Sequence, residues 1–174
     1  MKILILTGSL VQDHEFIYPF YRSQEEDNEV FVALKDALPV KGILGTPIPP
    51  KVEDTNVISY QDMKVSDYEL LILPGGAKAM EYLRQDETVL KFIKEFDESE
   101  KTIGCICHGA QLLISAKIVK GRKLTGYYSI KDDIINAGAE YINDGVVVDN
   151  NIVTSPHYKY MGPWMKKVLL INKN

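Results

Sequence analysis

Thr102-Ile-Gly-Cys-Ile-Cys-His-Gly-Ala110 decides how this chain is read. Up to Ile106 the stretch is short and apolar, as in a strand buried in a sheet. From Ala110, the run Ala110-Gln-Leu-Leu-Ile-Ser-Ala-Lys117 reads as the helix that follows. Cys107, His108 and Gly109 therefore occupy a tight strand-to-helix turn. Such a turn lifts one side chain above the sheet edge and aims the free N–H groups of the helix start at the same spot. A thiol held there is expected to have a lowered pKa and a thiolate population at neutral pH. The same residues also fit a small buried core cysteine. Taken alone, the stretch leaves both readings open.

Outward from this turn, strand and helix patterns alternate. Ile3 to Leu6 and Leu70 to Leu73 are continuous apolar runs, and Val30 to Leu34 makes another strand. After the first strand, Phe16, Ile17, Phe20 and Tyr21 mark the apolar side of a helix that Pro19 is expected to interrupt. Pro39 to Pro50 holds four prolines and two glycines and reads as loop or hairpin. Val89 to Phe96 is helical, with the charged tail Lys94 to Lys101 expected as its solvated end. Trp164 and Met165 look like the packed face of a last helix. The alternation predicts an α/β fold with a doubly wound, mostly parallel sheet. Without an internal repeat or linker, residues 1–174 read as one domain.

Composition sets the outer limits. The chain has 174 residues, 25% charged and 45% hydrophobic, enough for one domain with a sizeable core. A net charge of −4 gives no electrostatic reason to expect nucleic acid or an anionic membrane as partner. Met1 to Thr7 is too short for a signal segment or a membrane span. Cys105 and Cys107, two positions apart and without a second pair, form neither a disulfide framework nor a zinc site. The expectation is a reduced, cytoplasmic protein with no metal and no cofactor.

In doubly wound sheets, ligands bind beyond the carboxyl ends of the strands. Three loops fit that place: Thr7 to Glu15, Pro74-Gly75-Gly76, and Cys107-His108-Gly109. A thiol, a carboxylate and backbone donors meeting there would be the parts of an acyl-transfer site. Each residue also has a plainer reading. Cys105 reads as core and His14 as a surface loop residue, while Tyr127 and Tyr128 fit either a site wall or packing. Glu15 at a helix start reads, on the residues alone, as serving the helix dipole.

Several motifs, in order and at matching spacing, carry a resemblance along nearly the whole chain. They are Glu15-Phe-Ile-Tyr-Pro19, Leu73-Pro-Gly-Gly76, Ile106-Cys-His-Gly109, Gly121-Arg-Lys-Leu-Thr125, Ile130 to Glu140 and Val146-Val-Val-Asp149. With these the chain resembles the PfpI-type intracellular protease/amidase family of the class I glutamine amidotransferase-like superfamily. The resemblance implies a flavodoxin-like three-layer sandwich that assembles as a homodimer or hexamer. It makes Cys107 the nucleophile, His108 its paired histidine and Glu15 the acid whose carboxyl approaches the sulfur. Gly76 and His108 would supply the oxyanion-hole N–H groups. Glu81, displaced by one residue from the family position, is the candidate acid contributed in trans.

The chain also departs from the family. Gln12 stands where relatives often carry an acid, and Pro156-His-Tyr-Lys159 replaces an Arg-His-Pro-Gly pattern, with His157 near the pocket. The implied function is a cysteine hydrolase of peptides or small amides. The alternatives are glyoxalase or deglycase chemistry on methylglyoxal and related aldehydes, or a redox-sensing or chaperone stress protein. Expected partners are a small aldehyde or a peptide substrate.

Overall fold

The apolar runs become the middle of a seven-stranded sheet in the computed structural model, which describes residues 1–171. In chain order the strands are β1 (Lys2–Leu6), β2 (Glu29–Leu34), β3 (Val40–Lys41), β4 (Pro47–Ile48), β5 (Asn56–Ser59) and β6 (Leu70–Leu73). They continue with β7 (Thr102–Ile106), β8 (Lys123–Leu124), β9 (Glu140–Tyr141), β10 (Val147–Asp149) and β11 (Ile152–Ser155). The main sheet has the order β10-β11-β7-β6-β1-β2-β5. Every neighbour pair in it is parallel except β10 with β11. Strands β3 and β4 form the hairpin expected between Pro39 and Pro50, and β8 and β9 make a separate parallel pair.

The helices are α1 (Asp13–Glu25), α2 (Ala77–Leu83), α3 (Glu87–Glu98), α4 (Ala110–Ser115), α5 (Lys131–Asn136) and α6 (Met161–Ile171). Helix α6 packs on α1 and lies over β7 and β11, with Trp164 and Val168 against Gly104. Helix α4 packs against both α2 and α3, and α3 rests on β7. The central strands are thus covered on both faces, which is why Ile3 to Leu6 and Leu70 to Leu73 are apolar at every position and fully buried. The result is a flavodoxin-like α/β sandwich. Trp164 and Met165 are fully buried, and the Trp164 indole N–H donates to the Val153 carbonyl at 3.1 Å. Among the described residues no helix is long and apolar enough to cross a membrane.

Two local expectations need correction. Pro19 does not interrupt α1, which runs unbroken from Asp13 to Glu25. Proline removes one backbone donor, but Phe16 and Phe20 stack across that turn at 5.5 Å and hold the helix against the core. The charged tail after Phe96 is also less solvated than its composition predicts. The Lys101 ammonium donates to the carbonyls of Val65 and Tyr68 at 2.6 and 2.7 Å. Asp97 accepts from Arg122 Nη2 through both oxygens at 2.8 and 2.9 Å, and from Asn151 at 3.0 Å. These bonds tie α3 to the segments entering β8 and β11, far apart in sequence. Asp97→Ala leaves a half-buried guanidinium without its anion, so urea unfolding should show a loss of about 2 kcal/mol.

Register fixes where the site forms. Ile5 pairs with Ile72, and Leu73 pairs with Cys105, so β1, β6 and β7 end side by side. The segments leaving them meet at one sheet edge, at the crevice a doubly wound topology opens.

Candidate active site

Cys107 leaves β7 in the left-handed region, with φ of +60°, and opens a 3-10 turn (Cys107–Gly109) that leads into α4. A residue bearing a Cβ is held in that conformation only when its surroundings impose it, at a cost on the order of 1 kcal/mol. Here the Tyr127 N–H donates to the Cys107 carbonyl at 3.1 Å and pins the turn. The strain swings the thiol out of strand alternation and toward the Pro74-Gly75-Gly76 loop.

Glu15 comes from the first turn of α1 and is fully buried. Its Oε2 accepts the Gly75 N–H at 2.9 Å, while Oε1 is buried without a nitrogen or oxygen partner among the described residues. The carboxyl also meets the Cys107 thiol. Burial drives the Glu15 pKa up to about 7, against the pull of its bonds to Cys107 and Gly75. A carboxyl near 7 both holds and releases a proton at neutral pH.

Gly75 is required by this approach. A Cβ there would lie 2.5 Å from Glu15 Oε2, 2.7 Å from Cys107 Cβ and 3.0 Å from the His108 nitrogen. Gly75→Ala must separate the acid from the thiol, and thermal or urea unfolding should show a loss of about 1–3 kcal/mol. Gly76 adopts φ of +106°, and its own Cβ would strike the Gln12 nitrogen at 2.6 Å. The Gln12 N–H in turn donates to the Gly75 carbonyl at 3.1 Å, so the first two loops are locked together.

The thiol departs from the sequence expectation. Burial, then the adjacent Glu15 charge, push Cys107 above the ordinary thiol range rather than below it. With the residue 6% exposed, desolvation outweighs the short helix start. The N–H groups of His108 and Gly76 reach the sulfur and act in the other direction, favouring the thiolate. Glu15 and Cys107 therefore titrate as a pair: the Glu15 charge holds the thiol's proton in place, while the thiol's bond to the carboxyl favours the carboxylate.

His108 is half-buried, with Nδ1 3.4 Å from Cys107 Sγ and Nε2 3.5 Å from Ser129 Oγ. Its ring stacks on Tyr127, centroids 4.5 Å apart, and burial pushes its pKa down so that the imidazole is neutral. Beyond Tyr127, at 6.0 Å, lies His157, whose ring meets Tyr158 at 4.0 Å. His14 is exposed and faces Tyr158 at 5.4 Å, away from the thiol cluster.

The structure thus gathers Cys107, His108, Glu15 and the Gly76 N–H, but not every residue singled out in the sequence. Glu81 lies exposed on α2, where it pairs with Lys78 at 2.6 Å. Gln12 caps α1 by accepting the His14 N–H at 2.8 Å. Cys105 is buried core, as expected, and burial holds its pKa high.

Two contributors were not legible in the chain. Ser129 reaches His108 across 21 residues. Asp13, nearly fully buried, accepts the N–H groups of Leu44 and Thr46 at 2.8 and 3.0 Å and anchors α1 to the β3–β4 turn. Its burial acts to raise its pKa, but the bonds from Thr46 and Leu44 prevail and hold it below the ordinary carboxylate value. No local pattern signals either contact. A polar cavity of about 890 Å³ lined by Asp97, Lys101, Arg122 and Asn151 lies at the opposite sheet edge, remote from the thiol.

Comparison with known proteins places this chain among relatives. Deglycase PfpI of Pyrococcus furiosus is 38% identical over 173 residues, covering 99% of this chain and all of that protein. YraA of Bacillus subtilis, provisionally named a cysteine protease, is 39% identical over 155 residues, 88% of each chain. In structure, Schizosaccharomyces pombe DJ-1 superposes with a TM-score of 0.84 at 20% identity, over 98% of this chain and 91% of its own. The model of the DJ-1/PfpI family matches residues 1–170. A match running from β1 through the glycine loop and the cysteine turn into the last turn of α6 makes this chain a member of the DJ-1/PfpI family.

Proposed function

We propose that this protein is a cysteine-dependent enzyme of small reactive aldehydes, methylglyoxal above all, with Cys107, Glu15 and His108 as its working groups. The observation that carries the reading is the burial of the reacting pair. Cys107 is 6% exposed and Glu15 fully buried against it. A two- or three-carbon aldehyde reaches such a thiol readily, whereas a peptide carbonyl is flanked by chain on both sides. An activated aldehyde also needs less help from the protein than a stable amide does.

The Cys107 sulfur gives its proton to His108 Nδ1 and adds to the aldehyde carbon, and the carbonyl oxygen takes up that proton from the imidazolium, giving a hemithioacetal. Its oxygen lies within the field of the Gly76 and His108 N–H groups. Glu15, with a pKa near 7, removes the proton from the former aldehyde carbon and returns one to the neighbouring carbonyl carbon, while the hemithioacetal hydroxyl gives up its proton and the former ketone oxygen takes one up. The product of that shift is a thioester of lactate, which water cleaves to lactate and free thiol. Methylglyoxal plus one water equals lactic acid, so no oxidant or reductant is consumed. The name of the Pyrococcus furiosus relative, a deglycase, is consistent with carbonyl chemistry of this kind.

Amide or peptide hydrolysis is the second reading, favoured by His108 Nδ1 at 3.4 Å from the sulfur and by the name of the Bacillus relative. Incubating the protein with methylglyoxal and, separately, with a fluorogenic peptide tells the two apart. Lactate without peptide turnover is expected. Peptide turnover without lactate overturns the aldehyde reading. Glu81 is proposed as a group contributed across a subunit contact of a homodimer or hexamer, and light scattering that shows a monomer would remove it from the site.

A further inference from the structure

Ser129 has no part in the chemistry above, yet it completes a line of three side chains. Cys107 Sγ lies 3.4 Å from His108 Nδ1, and Ser129 Oγ lies 3.5 Å from the opposite ring nitrogen, Nε2. The ring plane is set separately by Tyr127, stacked at 4.5 Å with 27° between the planes. A stacked ring can still turn within its plane, and the two edge contacts fix that remaining freedom.

The placement of Ser129 is built into the backbone. It sits in the middle of a 3-10 turn, Tyr128–Ile130, whose last residue is buried in the core. The Ile130 N–H donates to the Tyr127 carbonyl at 3.0 Å, and the Tyr127 N–H to the Cys107 carbonyl at 3.1 Å. The hydroxyl is thereby carried by the segment that pins the cysteine turn.

We propose that Ser129 is a positioning residue for the Cys107–His108 pair, accepting a hydrogen bond from Nε2–H so that the Nδ1 lone pair faces the thiol. The inference rests on Cys107 being the reactive group. In the activating step the S–H bond breaks and an Nδ1–H bond forms, leaving thiolate and imidazolium. Both ring nitrogens then carry protons, and Ser129 Oγ accepts from Nε2–H before and after the transfer. The hydroxyl therefore favours the imidazolium without itself changing protonation. The other titratable groups around the pair are Glu15 from α1 and Tyr127 on the far face of the ring.

The test reads the thiol directly, without an enzyme substrate. Carbamidomethylation of Cys107 by iodoacetamide is followed by peptide mass between pH 5 and 10 in the wild type, Ser129→Ala and Ser129→Thr. Loss of one neutral hydrogen bond should slow alkylation by Ser129→Ala about 3- to 10-fold at pH 7 and move its rise to higher pH. Ser129→Thr, which keeps the hydroxyl, should return to within about twofold of the wild type. Ser129 is exposed, so both variants should unfold at the wild-type temperature. A Ser129→Ala protein with the wild-type rate and pH profile overturns the proposal, as does a threonine variant as slow as alanine. Should the wild type make no lactate while alkylation still responds to Ser129, the aldehyde reading falls and this one stands.

Discussion

Cys107→Ala is expected to abolish lactate formation from methylglyoxal, a drop of about 10³-fold or more, to the rate without enzyme. The sulfur forms the bond that every later step depends on, so no other side chain in the crevice can replace it. Alanine is also the fair control. It accepts a φ of +60° at about the same cost as cysteine, since the penalty arises at the Cβ both residues share. Tyr127 still finds the carbonyl of residue 107, and the turn should stay in place. Melting temperature and circular dichroism should match the wild type. Lactate production undiminished in this variant would end the proposed mechanism, whatever the family.

Glu15→Gln should produce the second large effect, seen in two independent measurements. Glutamine keeps the length of the side chain and can still accept the Gly75 N–H, but it exchanges no proton at neutral pH. Lactate formation should fall about 10²- to 10⁴-fold, the ordinary contribution of one positioned acid or base.

The same substitution should alter how stability depends on pH. Glu15 titrates near 7 in the folded chain, against an ordinary value of 4.5. Between those values the folded state holds a proton that the unfolded state has released. This contribution to stability is complete below pH 4.5 and is lost as pH rises through 7. By linkage it amounts to about 3 kcal/mol over that window. Urea unfolding of the wild type should accordingly lose stability between pH 4.5 and 7.5 relative to Glu15→Gln, whose curve lacks this slope. Parallel curves for the two proteins would mean that Glu15 is ionised throughout and cannot serve as the acid.

Much of the architecture could be read from the chain. A parallel sheet covered on both faces requires strands apolar at every position, and Ile3 to Leu6 and Leu70 to Leu73 satisfy this without any tertiary information. The cysteine turn was equally legible, because the strand run ends and a helical run begins on either side of Cys107-His108-Gly109. Pro19 and Lys101 misled the reading for a shared reason. Propensity and charge describe a residue against solvent, whereas Pro19 sits in a helix held by the core and Lys101 beneath two carbonyls supplied from residues 65 and 68.

The sequence by itself determined the fold class, the place of the thiol at a strand-to-helix turn, and the glycine loop facing it, since periodic burial is written in neighbouring residues. Only the tertiary structure decided the chemistry there. Whether Glu15 titrates at 4.5 or 7 depends on its desolvation beside Gly75, 60 residues away, and beside the Cys107 thiol. Whether Cys107 is held up by burial or drawn down by N–H groups depends on β1, β6 and β7 ending in register. Acidity is set by distance and dielectric across three loops, and those quantities come into being only when the strands pair.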